Sequence, residues 1–352
     1  MSLQEQLEKA KKELNESVRP FFLFDDDPDG LASFLILYKM IRGGKGMAVK
    51  GSMTNERMLE VVKNYQPDLI VILDKPVVEQ EFFDEMKIKC VWIDHHEPQE
   101  RKGQITYVNP RVFDPKDNQP TSLLAYKITN EDAWIATVGI VADWQLPPKE
   151  LRKECEEECP GLIPEEIDSP EDALFLTDAG KLARVFSFNL KGRTSDVLTT
   201  MKILSRIKRP SELLNKEHSQ AKLLMKKYEQ RLKEYEDLKS QVEVDEKNPL
   251  LLFKYNDNKN SYTVDLSNEL LYSFPDKLII IARQSGESYK CSLRSSTLRV
   301  NKILEETLAI TGGNGGGHEH ACGAVIENER FEEFIKVITE HAEIERNETQ
   351  NE

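Results

Sequence analysis

Three short, unbroken apolar runs each deliver an aspartate at their carboxyl end. Phe21-Phe22-Leu23-Phe24 leads to Asp25, Leu69-Ile70-Val71-Ile72-Leu73 to Asp74, and Val91-Trp92-Ile93 to Asp94. Runs of this kind are the form of strands covered on both faces, which calls for a parallel sheet between helical layers. The intervening segments agree, because Leu31 to Ile41 and Asn55 to Asn64 carry apolar residues at helical spacing and complete repeated strand-helix units. In an open sheet of that type, ligands collect outside the carboxyl ends of the strands. Side chains far apart in sequence then converge. A fourth aspartate, Asp143, closes the apolar stretch Trp134 to Ala142, whose pattern fits a strand or a buried helix.

Beyond these units, Asn109-Pro110 and Asp114-Pro115 mark an irregular connection before a helix around Ser122 to Ile128. From Met201 to Ser240 the chain turns basic, with eleven Lys/Arg against six Asp/Glu, and Leu224, Tyr228, Leu232, Tyr235 and Leu238 form the stripe of a long amphipathic helix. A solvated connector is the usual meaning of such charge; a face for a polyanion is the other. A second α/β unit follows, with strands at Leu250 to Phe253, Leu278 to Ala282, Ser288 to Leu293 and Ala324 to Ile326, a helix at Val300 to Thr307, a glycine-rich loop from Gly312 to Gly317, and a closing helix from Phe331. The expected division is an α/β domain over 1–198, a helical connector over 199–245, a smaller α/β domain over 246–345 and an acidic tail over 346–352.

Composition narrows the class. The 352 residues are 39% hydrophobic and 31% charged, as in a soluble globular protein, and the net charge of -14 argues against coating duplex nucleic acid through a uniformly basic surface. A local basic groove stays open. Met1 to Glu16 lacks the apolar core of a signal peptide and no run reaches the length of a membrane span, so the expectation is a cytoplasmic protein without a membrane partner. Five scattered cysteines do not describe a disulfide framework, and Cys155-x-x-x-Cys159 has no further ligands beside it; reduced thiols are expected.

Asp25-x-Asp27-x-Asp29-Gly30 crowds carboxylates between a strand and a helix. Such crowding persists most readily when cations neutralise it. An EF-hand loop opens the same way, but the twelfth position, where its bidentate glutamate belongs, is Ile36. Aspartate and imidazole together suit Mn²⁺, with Mg²⁺ or Co²⁺ as substitutes and Zn²⁺ also compatible; a redox iron centre is the weaker alternative. Asp25, Asp27, Asp29, Asp74, His95 and Asp143 suffice for two ions, and a two-ion site is the chemistry of phosphoester hydrolysis.

These motifs resemble the DHH phosphoesterase superfamily: Asp-x-Asp-x-Asp-Gly, the isolated Asp74, Asp94-His95-His96, and Asp143 at the end of Gly139 to Asp143, in that order. Gly315-Gly316-Gly317-His318-Glu319-His320-Ala321-Cys322-Gly323 resembles the Gly-Gly-His-x-x-Ala-Ala-Gly signature of the DHH-associated substrate domain, with Cys322 in place of an alanine. The resemblance implies a parallel-sheet catalytic domain, a helical connector and a smaller α/β substrate domain. It implies that Asp27 and Asp25 hold one ion, that Asp29, His95 and Asp143 hold the other, and that Asp74 bridges them. His96 would face the scissile phosphate, with Asp94 orienting a histidine. Relatives often carry histidine at the position of Asp25 or of Leu23, so the first ion's ligation departs from their pattern.

In the second domain the resemblance assigns Arg294, Gly316, Gly317 and His318 to an anionic part of the substrate; Arg294 suits phosphate because its fork donates bidentately. Asn189 to Arg193 fits either a substrate contact or a turn at Gly192. The implied activity is metal-dependent hydrolysis of short single-stranded oligonucleotides, as in exonucleases or nanoRNases. The alternatives are a RecJ-like exonuclease on longer single-stranded DNA, a phosphoesterase for cyclic dinucleotides or 3′-phosphoadenosine 5′-phosphate, and a non-catalytic scaffold in a replication complex. A homodimer or a replication or repair partner is compatible with the resemblance.

Overall fold

The three apolar runs become neighbouring strands of one parallel sheet because helices cover them on both sides. The computed structural model describes residues 2–256 and 260–349, and the chain divides into two units, Met1–Gln230 and Arg231–Glu352, parting within a helix.

The first unit runs α1 (Leu3–Glu16), β1 (Pro20–Asp25), α2 (Pro28–Ile41), β2 (Lys45–Val49), α3 (Glu56–Tyr65), β3 (Leu69–Leu73), α4 (Gln80–Met86), β4 (Cys90–Ile93) and β5 (Ile105–Val108). It continues with α5 (Thr121–Thr129), α6 (Ala133–Ala142), α7 (Lys149–Glu158), α8 (Pro170–Leu176), α9 (Asp178–Leu190), α10 (Thr194–Leu204) and α11 (Pro210–Leu214), and α12 (Ser219–Lys239) is the helix within which the two units part. The strand order is β2-β1-β3-β4-β5, and all four pairings are parallel. Phe21 and Leu23 join Met58, Val62, Ile70, Phe82 and Trp92 in the core against α3 and α4. Phe22 and Phe24 point the other way; Phe24 stacks on Phe34 of α2 at 4.8 Å. Two-sided burial is why these strands show no alternation of polar and apolar residues.

The stretch ending at Asp143 is a helix. α6 is apolar on every side and buried nearly throughout, so no polar face reveals the helical period. At Gly139 a Cβ would lie 2.5 Å from Ser122 Oγ and 2.8 Å from Ala32 Cβ, so α2, α5 and α6 approach too closely for a larger residue. The basic stretch 201–240 is broken into the end of α10, α11 and α12, with Leu224, Tyr228, Tyr235 and Leu238 buried along α12.

The second unit contains β6 (Leu250–Asn256), α13 (Thr263–Ser273), β7 (Leu278–Ser285), β8 (Ser288–Arg294), α14 (Val300–Thr311), β9 (Asn314–His318), β10 (Ala321–Glu327) and α15 (Phe331–Thr349). Its sheet has the order β6-β7-β8-β10-β9, with β6 and β7 parallel and the other neighbours antiparallel. Leu278, Ile280, Leu293, Ile303, Leu304 and Phe334 build the core under α14 and α15. The expected glycine-rich loop is instead the edge strand β9, paired residue by residue with β10 from Ala321↔His318 to Val325↔Asn314. Glycines lack strand propensity, but the partner strand supplies the pairing. Of the expected acidic tail, α15 extends through Thr349; 350–352 lie outside the described residues. All five cysteines are free and buried. Among the described residues no helix is long and apolar enough to cross a membrane.

Candidate active site

β1 pairs with β2 on one side and β3 on the other, so the chain reverses its direction of progress across the sheet at β1/β3. A crevice opens at the carboxyl ends where such a reversal occurs. Asp25 ends β1, Asp74 follows β3, and Asp94-His95-His96 follows β4. The turn into α2 is tight: Asp27 caps the helix by accepting from Gly30 N at 2.8 Å, and a Cβ on Gly30 would stand 2.6 Å from Asp25 O. Only glycine fits there. Asp74 adopts a left-handed φ of 60° while its N–H donates to Ile93 O at 2.9 Å. Aspartate tolerates that backbone better than most residues.

The two histidines are held differently. His95 Nδ1 lies 3.0 Å from Asn118 Oδ1 and 3.7 Å from Asp143 Oδ2, while Nε2 lies 3.4 Å from Asp74 Oδ1. Because an amide oxygen accepts, Nδ1 carries the proton and Nε2 is the donor atom for a cation once the ring is neutral. His96 Nδ1 pairs with Asp94 Oδ1 at 2.9 Å, and the His96 N–H donates to Asp94 Oδ2 at 3.1 Å. Asp94 is fully buried. It orients His96, leaving Nε2 as the ring's outer atom.

Asp74, His95 and His96 each offer a ligand atom, and these lie within 4.8 Å of one another. Burial pushes Asp74 up, but the His95 hydrogen bond, the histidine charges and the Thr121 hydroxyl, at 3.0 Å, outweigh it and hold its pKa at about 2. His95 is penalised by burial, yet Asp74, Asp143 and Asp29 raise it to about 11. Asp29 is raised to about 8 by burial and then by Asp74 and Asp143, although it accepts Thr121 N at 2.8 Å and Ser122 N at 3.1 Å from the start of α5. Burial, with Asp74, Asp25 and Asp29, holds Asp27 well above the usual carboxylate range. Asp143 is raised to about 6, chiefly by burial. It caps the carboxyl end of α6, where the helix dipole disfavours an anion. Buried carboxylates that push one another upward around two imidazoles form a donor set that fits divalent cations.

Asp25 has a different partner from the one its motif suggests. Lys75 is 3% exposed, and its Nζ donates to Asp25 Oδ1 at 2.6 Å, Gly51 O at 3.2 Å and Val49 O at 3.3 Å. Burial, with Asp74 and Asp26, leaves the Asp25 carboxyl above the usual range even though the ammonium pulls it down. Sequence reasoning missed Lys75, Asn109, Asn118, Thr121 and Ser122. Buried Asn109 donates to His96 O at 2.9 Å and Tyr107 Oη at 2.9 Å and accepts Arg111 N at 2.9 Å, clamping the loop after β4. A signal existed for two of these: Lys75 directly follows Asp74, and Asn109 sits in the irregular Asn-Pro connection. Asn189 is buried, with Nδ2 bonded to Val185 O at 2.9 Å, so it serves helix packing.

In the second unit Arg294, Gly316 and Gly317 line one pocket of about 370 Å³ together with Arg283, Lys290 and Ser292. Arg294 Nε donates to Asn268 Oδ1 at 2.9 Å and Nη1 to Leu293 O at 2.8 Å and Cys322 O at 3.1 Å, which fixes the guanidinium plane. His318 ends β9, exposed, and is not among the residues lining that pocket. Of the four residues expected to contact an anion there, three come together.

Two family models match the chain: the DHH family N-terminal domain over residues 21–184 and the DHHA1 domain over 251–343. An uncharacterised protein of Methanocaldococcus jannaschii is 37% identical over 70 residues, 18% of this chain and 16% of that protein. The structure of RecJ from Thermus thermophilus in complex with Mn²⁺ superposes with a TM-score of 0.66 at 16% identity, covering 97% of this chain and 54% of RecJ. The chain thus spans about half the length of that protein and a smaller share of the Methanocaldococcus one. A pGpG-specific phosphodiesterase from Vibrio cholerae superposes with a TM-score of 0.51 at 12% identity, over 92% of this chain and 98% of the enzyme.

Proposed function

The chain belongs to the DHH family, and from that premise we propose that it is a divalent-metal-dependent phosphodiesterase that hydrolyses short single-stranded oligonucleotides. The observation that carries this reading is the convergence of Asp74, His95 and His96 at the carboxyl edge of the sheet, ringed by the raised carboxyls of Asp27, Asp29 and Asp143. Asp74 and His95, with Asp27, Asp29 and Asp143, hold two Mn²⁺ ions, for which Mg²⁺ or Co²⁺ substitutes. Bound there, divalent cations acidify water and neutralise charge on phosphoryl oxygens. His96, oriented by Asp94, presents Nε2 to the phosphate. Asp25 stays paired with Lys75, which also binds the Val49 and Gly51 carbonyls at the end of β2. The Mn²⁺ bound by the Thermus protein and the dinucleotide named for the Vibrio enzyme favour this metal and this bond type.

A nucleotide-sized basic pocket in the second unit supports an anionic ligand. Short strands are preferred over duplex because the overall charge of -14 opposes broad phosphate binding. The test is hydrolysis of end-labelled DNA and RNA of graded length, from dinucleotide upward, in Mn²⁺. Turnover that peaks at a few nucleotides and disappears in an Asp74→Asn variant supports the reading. A protein that binds two Mn²⁺ ions and cleaves none of these substrates refutes it.

A further inference from the structure

The carboxyl end of α6 departs from the usual way of ending a helix. Trp144 N–H donates to Val141 O at 3.1 Å and Gln145 N–H to Ile140 O at 3.1 Å, so a Schellman motif closes the last turn. The residue that reverses the chain in this motif lies in the left-handed region, where glycine is the common choice because it has no Cβ to clash. Here it is Trp144, with φ 57°. Arg42, Gln66, Asp74, Lys87, Asn130, Asp132 and Lys216 share that backbone and all are polar; among the described residues Trp144 is the one aromatic ring held in it. A bulky side chain at such a position stores strain, and strain of this kind concentrates at ligand clamps.

The position adjoins the chemistry. Asp143, the preceding residue, lies 3.7 Å from His95 Nδ1. Gln145, the following one, donates from Nε2 to Asp143 Oδ2 at 3.4 Å and to Asn118 O at 2.5 Å, and Asn118 Oδ1 holds His95. Both neighbours of Trp144 are thus bound into the aspartate-histidine site. Trp92 and Trp134 are 1% and 2% exposed, whereas Trp144 is only partly buried. Its ring meets Phe175 of α8 edge to face, with centroids 5.8 Å apart. That helix buries only Ala173, and Leu176 beside Phe175 is 63% exposed. Packing against a surface helix does not call for a strained indole, since an aliphatic side chain fills the same space. What an aliphatic residue lacks is a flat aromatic face, on which a base of any identity stacks.

We propose that Trp144 is the stacking platform for the nucleobase next to the scissile phosphate, so that the site demands a base without reading which one. This rests on the oligonucleotide reading above and deepens it by naming the residue that separates nucleotides from other phosphodiesters. The probe is a dinucleoside phosphinate, in which methylene groups replace both bridging oxygens; it keeps the negative charge and has no phosphoester bond to hydrolyse. A second probe is the same molecule without its bases. Calorimetry in Mg²⁺ gives the affinity of the full chain for each. The wild type binds the base-bearing probe more tightly. In Trp144→Leu that preference falls by about tenfold, the worth of one base-aromatic stack, while affinity for the abasic probe is unchanged. Trp144→Phe keeps most of the preference. In wild-type protein labelled with fluorotryptophan, one of the three fluorine resonances shifts with the base-bearing probe and not with the abasic one. Equal wild-type affinity for the two probes, equal losses for both in Trp144→Leu, or three unmoved resonances overturns the platform. Hydrolysis enters none of these readouts. A protein that binds in this way but turns over no oligonucleotide in Mn²⁺ refutes the hydrolase reading alone, and a hydrolase whose Trp144→Leu variant keeps the base preference refutes the platform alone.

Discussion

Removing Asp25 or Lys75 one at a time tests whether this pair, and not a metal ion, neutralises the first aspartate of the motif. The lysine side chain is 4% exposed and the aspartate side chain 32%, so the two halves of the pair are not equivalent. Asp25→Asn leaves the buried ammonium with an amide oxygen and the Val49 and Gly51 carbonyls in place of the carboxylate it pairs with. Losing one partner of a buried pair costs about 3–5 kcal/mol, and for a unit of this size that lowers the melting temperature on the order of 10 °C. Lys75→Met leaves a carboxylate that water still reaches and that protonates more easily, since burial, Asp74 and Asp26 already push it up. Its cost is smaller, roughly 1–3 kcal/mol. The double variant recovers part of the Asp25→Asn loss, because methionine does not need a counter-charge. Urea unfolding of all four proteins in EDTA gives the coupling energy, and bound Mn²⁺ is counted in parallel. If Asp25→Asn is the milder variant, or releases one Mn²⁺ at unchanged stability, the ion-pair reasoning fails and Asp25 is a metal ligand.

Asp74→Asn keeps a residue that tolerates the left-handed backbone while removing the shared charge; turnover falls more than about 100-fold, beyond the loss of an outer partner, and normal turnover would exclude Asp74 from the metal centre. His95 at about 11 and Asp29 at about 8 hold protons at pH 7 without metal. A raised pKa means that the proton competes with the cation, so Mn²⁺ affinity rises as pH rises from 6 to 8 and binding releases at least one proton. Calorimetry in buffers of different ionisation enthalpy detects this, and buffer-independent heats contradict it. Asn109→Ala removes the hydrogen bonds to His96 O and from Arg111 N; about 2–4 kcal/mol of stability goes with them, and activity falls even at temperatures where the variant is fully folded. Wild-type kinetics in the folded variant would show that the loop after β4 needs no clamp.

Much of this molecule is legible in its residues because two regularities leave local marks. Strands buried on both faces read as unbroken apolar runs, and β1, β3 and β4 stand where those runs lie. Motif spacing singled out Asp74, His95 and His96, which the fold draws together. Half-exposed β2 and β5 have no such run, and α6, buried on every side, conceals its period. The glycines from Gly315 to Gly317 resemble a loop until the pairing with β10 is known.

By itself the sequence determined the class of the fold, the order of its two domains and the chemistry available at the strand ends, since these follow from burial patterns and side-chain types along the chain. The tertiary structure alone decided which charges meet. It gave Asp25 to Lys75, hung Asp29 on the first N–H groups of α5, turned Asp143 toward His95, and brought Arg283, Lys290 and Arg294 to the lining of one pocket. Electrostatic partnership depends on distance through space and on the water excluded between groups. Neither quantity is written in the spacing of residues along a chain.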